Sequence, residues 1–212
     1  MFEAEPLHLY TYESAPNPRR LALFQSYKGI ELPITDVDMR AGAHRETTFL
    51  EVNPMGTLPA LVTEEGVLLT EVIGICAYLE EHFPERPLLG RSTLERALVL
   101  SWDHRVFVTL LEAFAEMLRN RSPAFENRAL PGPIDVEQIP ELVDRGRKRY
   151  RAGLLQINDE LGDQPFLCGD AISFADISLL VAIETGSWVK EQLPDSCERL
   201  AAWRQRCHEL LD

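Results

Sequence analysis

The sequence predicts an α/β domain of about 85 residues followed by an all-helical domain. Three observations support this prediction. As far as Pro84, short apolar stretches typical of strands alternate with segments in which apolar residues recur at helical spacing. The segment that follows, residues 84–90, contains Pro84, Pro87 and Gly90 and has the composition of a linker. Beyond it no convincing strand pattern remains.

The first part is predicted to run strand, helix, strand, helix, strand, strand, helix. A βαβ unit followed by a ββα unit is the thioredoxin-like arrangement, and its parallel strand pair requires a right-handed crossover. Asn17 is predicted to cap the first helix, Pro18 to occupy its first position and Gly29 to end it. The predicted strands span residues 7–11, 34–39, 60–63 and 67–70, and the helical segments span 17–28, 41–51 and 72–83.

The second part is predicted to be helical. Two sequences of the form Ser-x-x-acid mark helix starts, Ser92 with Glu95 and Ser173 with Asp176. Several prolines place a loop at residues 122–140. The predicted helices span 92–120 and 150–161, begin again at 173, and end with an amphipathic stretch at 193–212. We therefore expect domains at residues 1–85 and 92–212, joined by a linker at 86–91.

The charge of the chain argues against two classes of partner. The 212 residues carry a formal net charge of −13, whereas a protein that binds nucleic acids or anionic membranes needs clustered Lys and Arg. The basic run from Arg145 to Arg151 is predicted to be the solvated face of a helix. No apolar run approaches the length of a membrane span. We expect neither nucleic acid nor a membrane among the partners.

The four cysteines (Cys76, Cys168, Cys197 and Cys207) form no C-x-x-C pair and have no paired histidines nearby. Thioredoxin-type dithiol chemistry and a structural zinc site are therefore not expected. Scattered cysteines suit a reducing compartment, and the acidic N-terminus lacks the apolar core of a signal peptide. We expect a cytoplasmic protein without a metal.

The most informative part of the sequence is the stretch 53–61 together with the helix start at 70–72. A residue before proline is held extended, so the backbone N–H and C=O of Leu58 are held out for a ligand. A cis peptide bond has a low free-energy cost only before proline, and we predict a cis Leu58–Pro59 bond. A helix that starts at Val72 offers unpaired N–H groups to an anion. These features predict a site that binds a peptide backbone beside a site that binds a carboxylate.

With this site the chain resembles the cytosolic glutathione transferase superfamily, and most closely its bacterial members with an Ala-Pro-Asn loop. The resemblance covers nearly the whole chain and includes the box of Ser173 and Asp176, which matches a folding motif of the family's helical domain. It implies the glutathione transferase fold, glutathione as a cosubstrate and a homodimer. The matching segments are residues 15–20, 31–33, 42–45, 49–61, 70–79 and 166–176.

The resemblance implies that the protein ionises the thiol of glutathione, which then acts as a nucleophile. The family uses Tyr, Ser or Cys for this, or in some bacterial groups a Thr/Asn pair, and the matching position here is Ala15. The implied catalytic candidates are Asn17, which matches the asparagine of the Pro-Asn groups, and Ser14, one residue before Ala15. A carboxamide can donate a hydrogen bond to sulfur, but Asn at this place can equally be an N-cap.

The resemblance also implies contacts to each part of glutathione. Val72 stands where the family usually has a serine that grips the γ-glutamyl carboxylate, and it keeps only the N–H of that residue. Replacing Val72 with Ser is expected to add a donor with little effect on stability. His44 can otherwise be a surface histidine, and Glu71 a first-turn carboxylate that complements the helix dipole. The implied binding residues are Asn17, His44 for the glycyl carboxylate, Thr57 for the tripeptide, Leu58 for the cysteinyl part, Glu71 for the α-amino group and Val72.

Two functions from different classes remain open. The first is an enzyme that conjugates glutathione to an electrophile or reduces a glutathione mixed disulfide or peroxide, with a small hydrophobic or disulfide substrate. Leu58, Glu71 and Asn17 favour this function. The second is a non-catalytic binding protein of the same fold with weak or no affinity for glutathione, which Ala15 and Val72 favour.

Overall fold

The computed structural model describes residues 7–211 of the chain. These residues form two compact units. One extends to Arg86 and includes residues 131–134, and the other comprises Pro87–Leu130 and the residues from Asp135 onward. The first unit contains a four-stranded sheet with helices, and the second is built from helices. The predicted fold class, an α/β thioredoxin-like domain followed by an all-helical domain, is confirmed.

The elements of the first unit are, in chain order, β1 (His8–Thr11), α1 (Pro16–Lys28), β2 (Ile34–Asp36), α2 (Thr47–Leu50), β3 (Ala60–Val62), β4 (Leu68–Leu69) and α3 (Val72–His82), with a 3-10 turn at Ala43–Arg45 before α2. The strand order in the sheet is β2-β1-β3-β4. β1 pairs in parallel with β2, and β3 runs antiparallel to both β1 and β4. Leu9 of β1 and Leu61 of β3 lie opposite each other and are buried in the core of this unit.

The predicted start of α1 is wrong. The helix begins at Pro16, and its N-cap is Ala15, with φ −92°, ψ 150° and no side-chain cap bond. Asn17 therefore lies in the first turn and does not cap the helix. Pro16 and Pro18 both suit a first turn, because the N–H groups there have no partner within the helix. The Asn-Pro pair is the more typical cap signal, but the chain uses the earlier proline.

Two other boundaries follow local signals. Gly29 ends α1 as predicted, with φ 70° in the left-handed region that glycine adopts without strain. β2 was expected to reach residue 39 but ends at Asp36. The carboxylate of Asp38 accepts the N–H groups of Arg40 and Ala41 at 2.8 and 3.1 Å, and this turn takes the chain away from the sheet.

A buried ion pair joins the C-terminal ends of α1 and α3. Lys28 Nζ lies 2.8 Å from Glu80 Oε2, and the two side chains are 0% and 6% exposed. The same ammonium group donates to the carbonyl oxygens of Glu85 and Arg86 at 2.7 and 3.3 Å. Because both charges have left water, the loss of either should destabilise the protein more than the loss of one partner of an exposed ion pair.

The helices of the second unit are α4 (Thr93–Val106), α5 (Glu112–Arg119), α6 (Glu141–Leu161), α7 (Phe174–Gly186) and α8 (Glu198–Leu211). A π turn at Phe107–Leu111 joins α4 to α5, so the predicted long helix is nearly continuous. The predicted loop at 122–140 contains a 3-10 turn at Pro123–Phe125. Within residues 7–211, no helix combines the length and the apolar composition that crossing a bilayer requires.

The predicted box of Ser173 and Asp176 is present and forms the centre of a buried network. Asp176 Oδ2 accepts the N–H and the O–H of Ser173 at 2.9 and 2.7 Å. Its Oδ1 accepts the N–H of Leu167 at 2.9 Å and the indole N–H of Trp203 at 2.8 Å. Burial raises the pKa of Asp176 despite these four donors. The carboxylate thus ties the start of α7 to α8 and to the preceding turn.

The predicted box at Ser92 is only half formed. The Ser92 hydroxyl accepts the N–H of Glu95 at 3.2 Å, which caps α4. The Glu95 carboxylate accepts the N–H of Arg91 at 2.7 Å, one residue before the position that a complete box requires.

The basic run from Arg145 to Arg151 lies on α6 and is engaged in ion pairs. Arg147 and Arg151 contact the buried carboxylate of Glu191 at 3.0 and 2.6 Å. Arg145 lies 2.5 Å from a carboxylate oxygen of Glu116. The run therefore holds helices of the second unit together and is more than a solvated face.

Candidate active site

The sheet topology brings most of the predicted site residues to one end of the strands. Because β1 and β3 run antiparallel, the end of β1 at Thr11 lies beside the start of β3 at Ala60. β4 runs antiparallel to β3, so the C-terminal end of β4 lies at the same end of the sheet. Residues 14–17 follow β1, residues 57–58 precede β3, and residues 71–72 follow β4. Three segments that are far apart in the sequence therefore meet here.

Asn53 holds the loop that precedes β3. Its buried carboxamide donates to the carbonyl and hydroxyl oxygens of Thr57, at 2.8 and 3.2 Å, and accepts the N–H of Met55 at 3.1 Å. The Leu58–Pro59 bond is cis, as predicted. Because the Thr57 hydroxyl oxygen accepts a bond from Asn53, its hydrogen remains available for an acceptor outside the loop. The loop thus fixes the backbone of Leu58 at this end of the sheet.

A close backbone approach brings His44 to this loop. Gly56 has φ 60°, and a Cβ atom at this position would come within 3.0 Å of the His44 carbonyl oxygen and 3.4 Å of a Leu50 methyl group. A residue without Cβ is therefore needed where the two segments meet. His44 itself is half-buried.

Asn17 lies in the first turn of α1 with its carboxamide fixed in orientation. Asn17 Oδ1 accepts a hydrogen bond from Nη1 of the buried Arg20 at 3.1 Å. A guanidinium group only donates, so the oxygen faces Arg20 and the NH2 group is directed elsewhere. Ser14 is exposed in the turn before the helix. Ala15 has no side-chain donor.

The backbone of this turn adds one more donor from the same residue. Pro16 and Pro18 have no N–H, and the N–H of Ala15 donates to the Tyr12 carbonyl at 2.9 Å. Among the first three helical residues, Asn17 is therefore the source of every N–H group, one on the backbone and two on the side chain. A helix N-terminus favours negative charge, so this turn can stabilise a thiolate.

The start of α3 combines unpaired N–H groups with a strained residue. The N–H groups of Gly74 and Ile75 donate to the Glu71 carbonyl at 3.0 and 3.1 Å. Those of Val72 and Ile73 donate to no carbonyl of the described residues. Glu71 has φ 61° and ψ 120°, a conformation that costs a residue other than glycine roughly 1–3 kcal/mol and is concentrated at functional sites. An anion fits this helix start.

The side chain of Val72 is buried, with 3% of its surface exposed. The expectation that a serine here would barely affect stability is therefore wrong. Complete burial of a valine side chain is worth about 1.5–3 kcal/mol, and serine would forfeit most of it. The Glu71 side chain is exposed, so its carboxylate is accessible to a ligand.

The cysteine thiols are poorly suited to act as nucleophiles. Burial raises the pKa of the half-buried Cys168 to about 11. It also raises the pKa values of Cys197 and Cys207, and Cys76 is buried. A thiolate is therefore disfavoured at neutral pH at the three cysteines with raised pKa values. Within residues 7–211 no cluster of His, Cys, Asp and Glu side chains has the geometry of a metal site.

Two supporting residues of the site were not predicted. Asn53 precedes a proline, which is typical of a turn closed by the Asn side chain, so its role in the loop could have been inferred. Arg20 gives no such signal, because its role depends on burial and on the orientation of Asn17.

Comparison with known proteins agrees with this architecture. Residues 15–82 match the family model for the glutathione S-transferase N-terminal domain, and residues 140–206 match that for the C-terminal domain. A maleylacetoacetate isomerase of Pseudomonas aeruginosa is 30% identical over 176 residues, covering 82% of this chain and 78% of that protein. The chain belongs to the glutathione transferase superfamily.

Two further relatives of this glutathione transferase cover most of its length. Glutathione S-transferase 2 of Saccharomyces cerevisiae is 26% identical over 204 residues, covering 95% of this chain and 85% of that protein. The crystal structure of human glutathione transferase theta-2, in complex with glutathione and an unknown ligand, matches with a TM-score of 0.83 and 27% identity, covering 97% of this chain and 82% of that chain. The N-terminal match includes Asn17, Leu58 and Val72, and Ser14 lies just before it.

Proposed function

We propose that this glutathione transferase binds glutathione at the end of the sheet where β3 begins and uses the thiolate of glutathione to attack a small hydrophobic or disulfide substrate. The observation that carries the proposal is the convergence of three groups of donors. These are the N–H groups of Asn17, the backbone of Leu58 and the unpaired N–H groups at the start of α3. Glutathione offers a matching set, since it has a thiol in its middle and a carboxylate at each end.

Each part of the tripeptide has a partner in this proposal. The N–H of Val72 takes the γ-glutamyl carboxylate, which the helix dipole favours, and the exposed carboxylate of Glu71 takes the α-amino group. The N–H and C=O of Leu58 pair with the backbone of the cysteinyl residue, as the backbones of two neighbouring strands pair. Thr57 contributes its hydroxyl hydrogen and His44 approaches the glycyl carboxylate.

Asn17 is the proposed catalytic residue. Its carboxamide and backbone N–H groups donate to sulfur, which stabilises the thiolate relative to the thiol and lowers the pKa of glutathione. The thiol proton leaves to solvent. The sulfur then bonds to an electrophilic carbon as the leaving group departs, or to one sulfur of a mixed disulfide as the other leaves as a thiolate. Ser14 is the second donor candidate, one residue before Ala15.

The test compares two substitutions of Asn17 that treat its carboxamide differently. Asn17→Ala removes the donor. Asn17→Asp keeps the oxygen that accepts from Arg20 but replaces the NH2 group with an acceptor. One hydrogen bond to a charged group is worth about 1.5–3 kcal/mol, so kcat/KM should fall roughly 10- to 150-fold in Asn17→Ala, and further in Asn17→Asp. Asn17→Ala should also cost about 1–3 kcal/mol of stability, because it removes the oxygen that accepts from the buried Arg20, whereas Asn17→Asp keeps that oxygen.

Calorimetric titration with reduced and oxidised glutathione separates binding from chemistry. Both variants should bind glutathione, and the ultraviolet absorbance of the thiolate should shift to higher pH. Wild-type activity in both variants would refute the role of Asn17. If the wild-type protein shows no binding of either form, the non-catalytic alternative would replace this proposal.

We also propose a cytoplasmic homodimer, as the family resemblance implies. The first half of α4 supports the dimer because it is largely uncovered, and Leu94 and Leu98, one turn apart, are 70% and 44% exposed. Sedimentation should give twice the 24.1 kDa mass of the chain. Leu94→Lys should convert the dimer to monomers, whereas a monomeric wild-type protein at micromolar concentration would contradict the proposal.

A further inference from the structure

β2 forms one edge of the sheet, and its hydrogen bonds show which of its residues face outward. The carbonyl of Pro33 accepts the N–H of Leu9 at 2.9 Å, and the N–H of Val37 donates to the carbonyl of Thr11 at 2.8 Å. In a parallel ladder alternate residues bond to the neighbouring strand. Residues 33, 35 and 37 therefore turn toward β1, and the residues between them turn away.

The outward residues of this edge are Ile34 and Asp36. Their N–H and C=O groups pair with no described residue, and the whole strand is exposed. An unpaired edge is a template for another extended chain, and proteins usually protect such edges with lysine, proline or a covering element. Here Ile34 is 56% exposed. The edge therefore presents two donors, two acceptors and an apolar side chain.

A groove of about 450 Å³ lies beside this edge, between α1 and the segment that leads into β2. Gln25 lines the groove and is 8% exposed. Its carboxamide forms no hydrogen bond with any described residue, so its N–H and C=O groups are available to a ligand in the groove. An amide donor and acceptor together match a peptide group. The lining residues are Ala22, Gln25, Ser26, Ile30, Glu31, Leu32 and Ile34.

The charges around the groove favour a basic occupant. Glu31 lines it and Asp36 lies on the adjoining edge, and both are exposed. None of the lining residues is Lys or Arg. A cationic side chain beside these carboxylates would therefore meet complementary charge, in a chain whose net charge is −13.

We propose that this groove binds an extended segment of a partner protein, in which an apolar residue is flanked by Lys or Arg. The segment adds to the sheet as a fifth strand and pairs with the outward groups of Ile34 and Asp36. Its apolar side chain enters the groove between Ala22 and Ile34, and the carboxamide of Gln25 bonds one of its peptide groups. The basic residues meet Glu31 and Asp36. This site is independent of the proposed glutathione site.

The test is a selection from a displayed library of random twelve-residue peptides, with the full-length protein as bait. Ile34→Pro removes an outward N–H but leaves the bonds to β1 intact, and proline is tolerated at a sheet edge. Gln25→Leu removes the amide at nearly constant volume. Val67→Ser is the matched control, because Val67 is also an exposed apolar residue, at 53%, and lies beside the opposite edge strand.

Peptides enriched on the wild-type protein should alternate apolar and basic residues. Their affinity should fall roughly tenfold or more in Ile34→Pro and in Gln25→Leu, which is the loss of about one hydrogen bond with a desolvated partner, and should not change in Val67→Ser. Binding should also slow amide exchange at residues 34 and 36. The proposal is overturned if nothing is enriched, or if the enriched peptides bind all variants equally. If Ile34→Pro fails to fold, Gln25→Leu and the charge reversal Glu31→Lys decide the outcome.

Discussion

Val72→Thr is predicted to tighten glutathione binding. The N–H of Val72 begins α3 and meets no described carbonyl, but its side chain offers nothing to a carboxylate. Threonine keeps the branched shape of valine and places a hydroxyl beside that N–H, where the helix dipole already favours an anion. The hydroxyl replaces a water molecule, so the net gain is on the order of 1–2 kcal/mol, or roughly five- to thirtyfold in Kd.

The same substitution should destabilise the protein when glutathione is absent. Val72 is 3% exposed, so the new hydroxyl enters a site that is already removed from water. A buried hydroxyl without a partner costs about 1–3 kcal/mol, which corresponds to a fall in Tm of roughly 2–12 °C for a protein of this size. Glutathione supplies the missing acceptor, so saturating ligand should raise the Tm of the variant more than that of the wild type.

Calorimetric titration measures the affinity for glutathione. Thermal unfolding with and without glutathione measures how far the ligand raises the Tm of each protein. Val72→Ala is the control, because it keeps the N–H and adds no hydroxyl, and it should lose stability without gaining affinity. Val72→Ser should gain affinity like the threonine variant but unfold at a lower temperature, since it loses both methyl groups. If threonine, serine and alanine variants all bind glutathione as the wild type does, the carboxylate does not sit at the start of α3.

Three further predictions concern other parts of the chain. Ala15→Ser should stabilise α1 by about 0.5–2 kcal/mol, because Ala15 caps it without a side-chain acceptor; a gain in turnover as well would place the hydroxyl near sulfur, and denaturant unfolding and kinetics measure the two effects. Lys28→Met should cost about 3–5 kcal/mol because it removes the cation of a buried ion pair with Glu80, and Lys28→Met with Glu80→Leu should recover most of it; a cost no larger than that of an exposed pair would contradict the burial. With a pKa of about 11, Cys168 holds roughly a thousandth of its thiol as thiolate at pH 8. Iodoacetamide should therefore label the native protein slowly, about tenfold faster for each pH unit, and without loss of activity; rapid labelling at pH 8 would refute this.

The features that the sequence predicts well are those that depend on neighbouring residues. Gly29 ends α1 by its own backbone freedom, and the box at Ser173 needs only Asp176 three residues later. The extended residue before Pro59 is a local consequence of the proline ring, and the cis bond there was predicted correctly. Such signals survive folding because no distant contact competes with them.

The features that it predicts poorly depend on tertiary partners or on competing local signals. Asn17 and Pro18 form a good cap pattern, but Ala15 and Pro16 form an acceptable one two residues earlier, and the longer helix was preferred. The sequence does not predict the stability cost of changing Val72, because an N-terminal helix position is usually exposed, whereas this one is buried. The role of Arg20 could not be seen at all, because it requires the guanidinium to be buried against the Asn17 carboxamide.

The contact between Arg20 and Asn17 has a consequence for the pH dependence of the proposed reaction. A hydroxyl at the position of Ala15 would both donate to the sulfur and exchange a proton with it. The Asn17 carboxamide donates but has no ionisation in the accessible pH range. Asn17 therefore contributes no titrating group to the reaction. At saturating glutathione the rate should therefore follow the ionisation of the bound thiol, with a pKa below the ~8.5 of an ordinary thiol. Asn17→Asp would add a second, and its appearance in the rate profile would identify residue 17 as the group beside the sulfur.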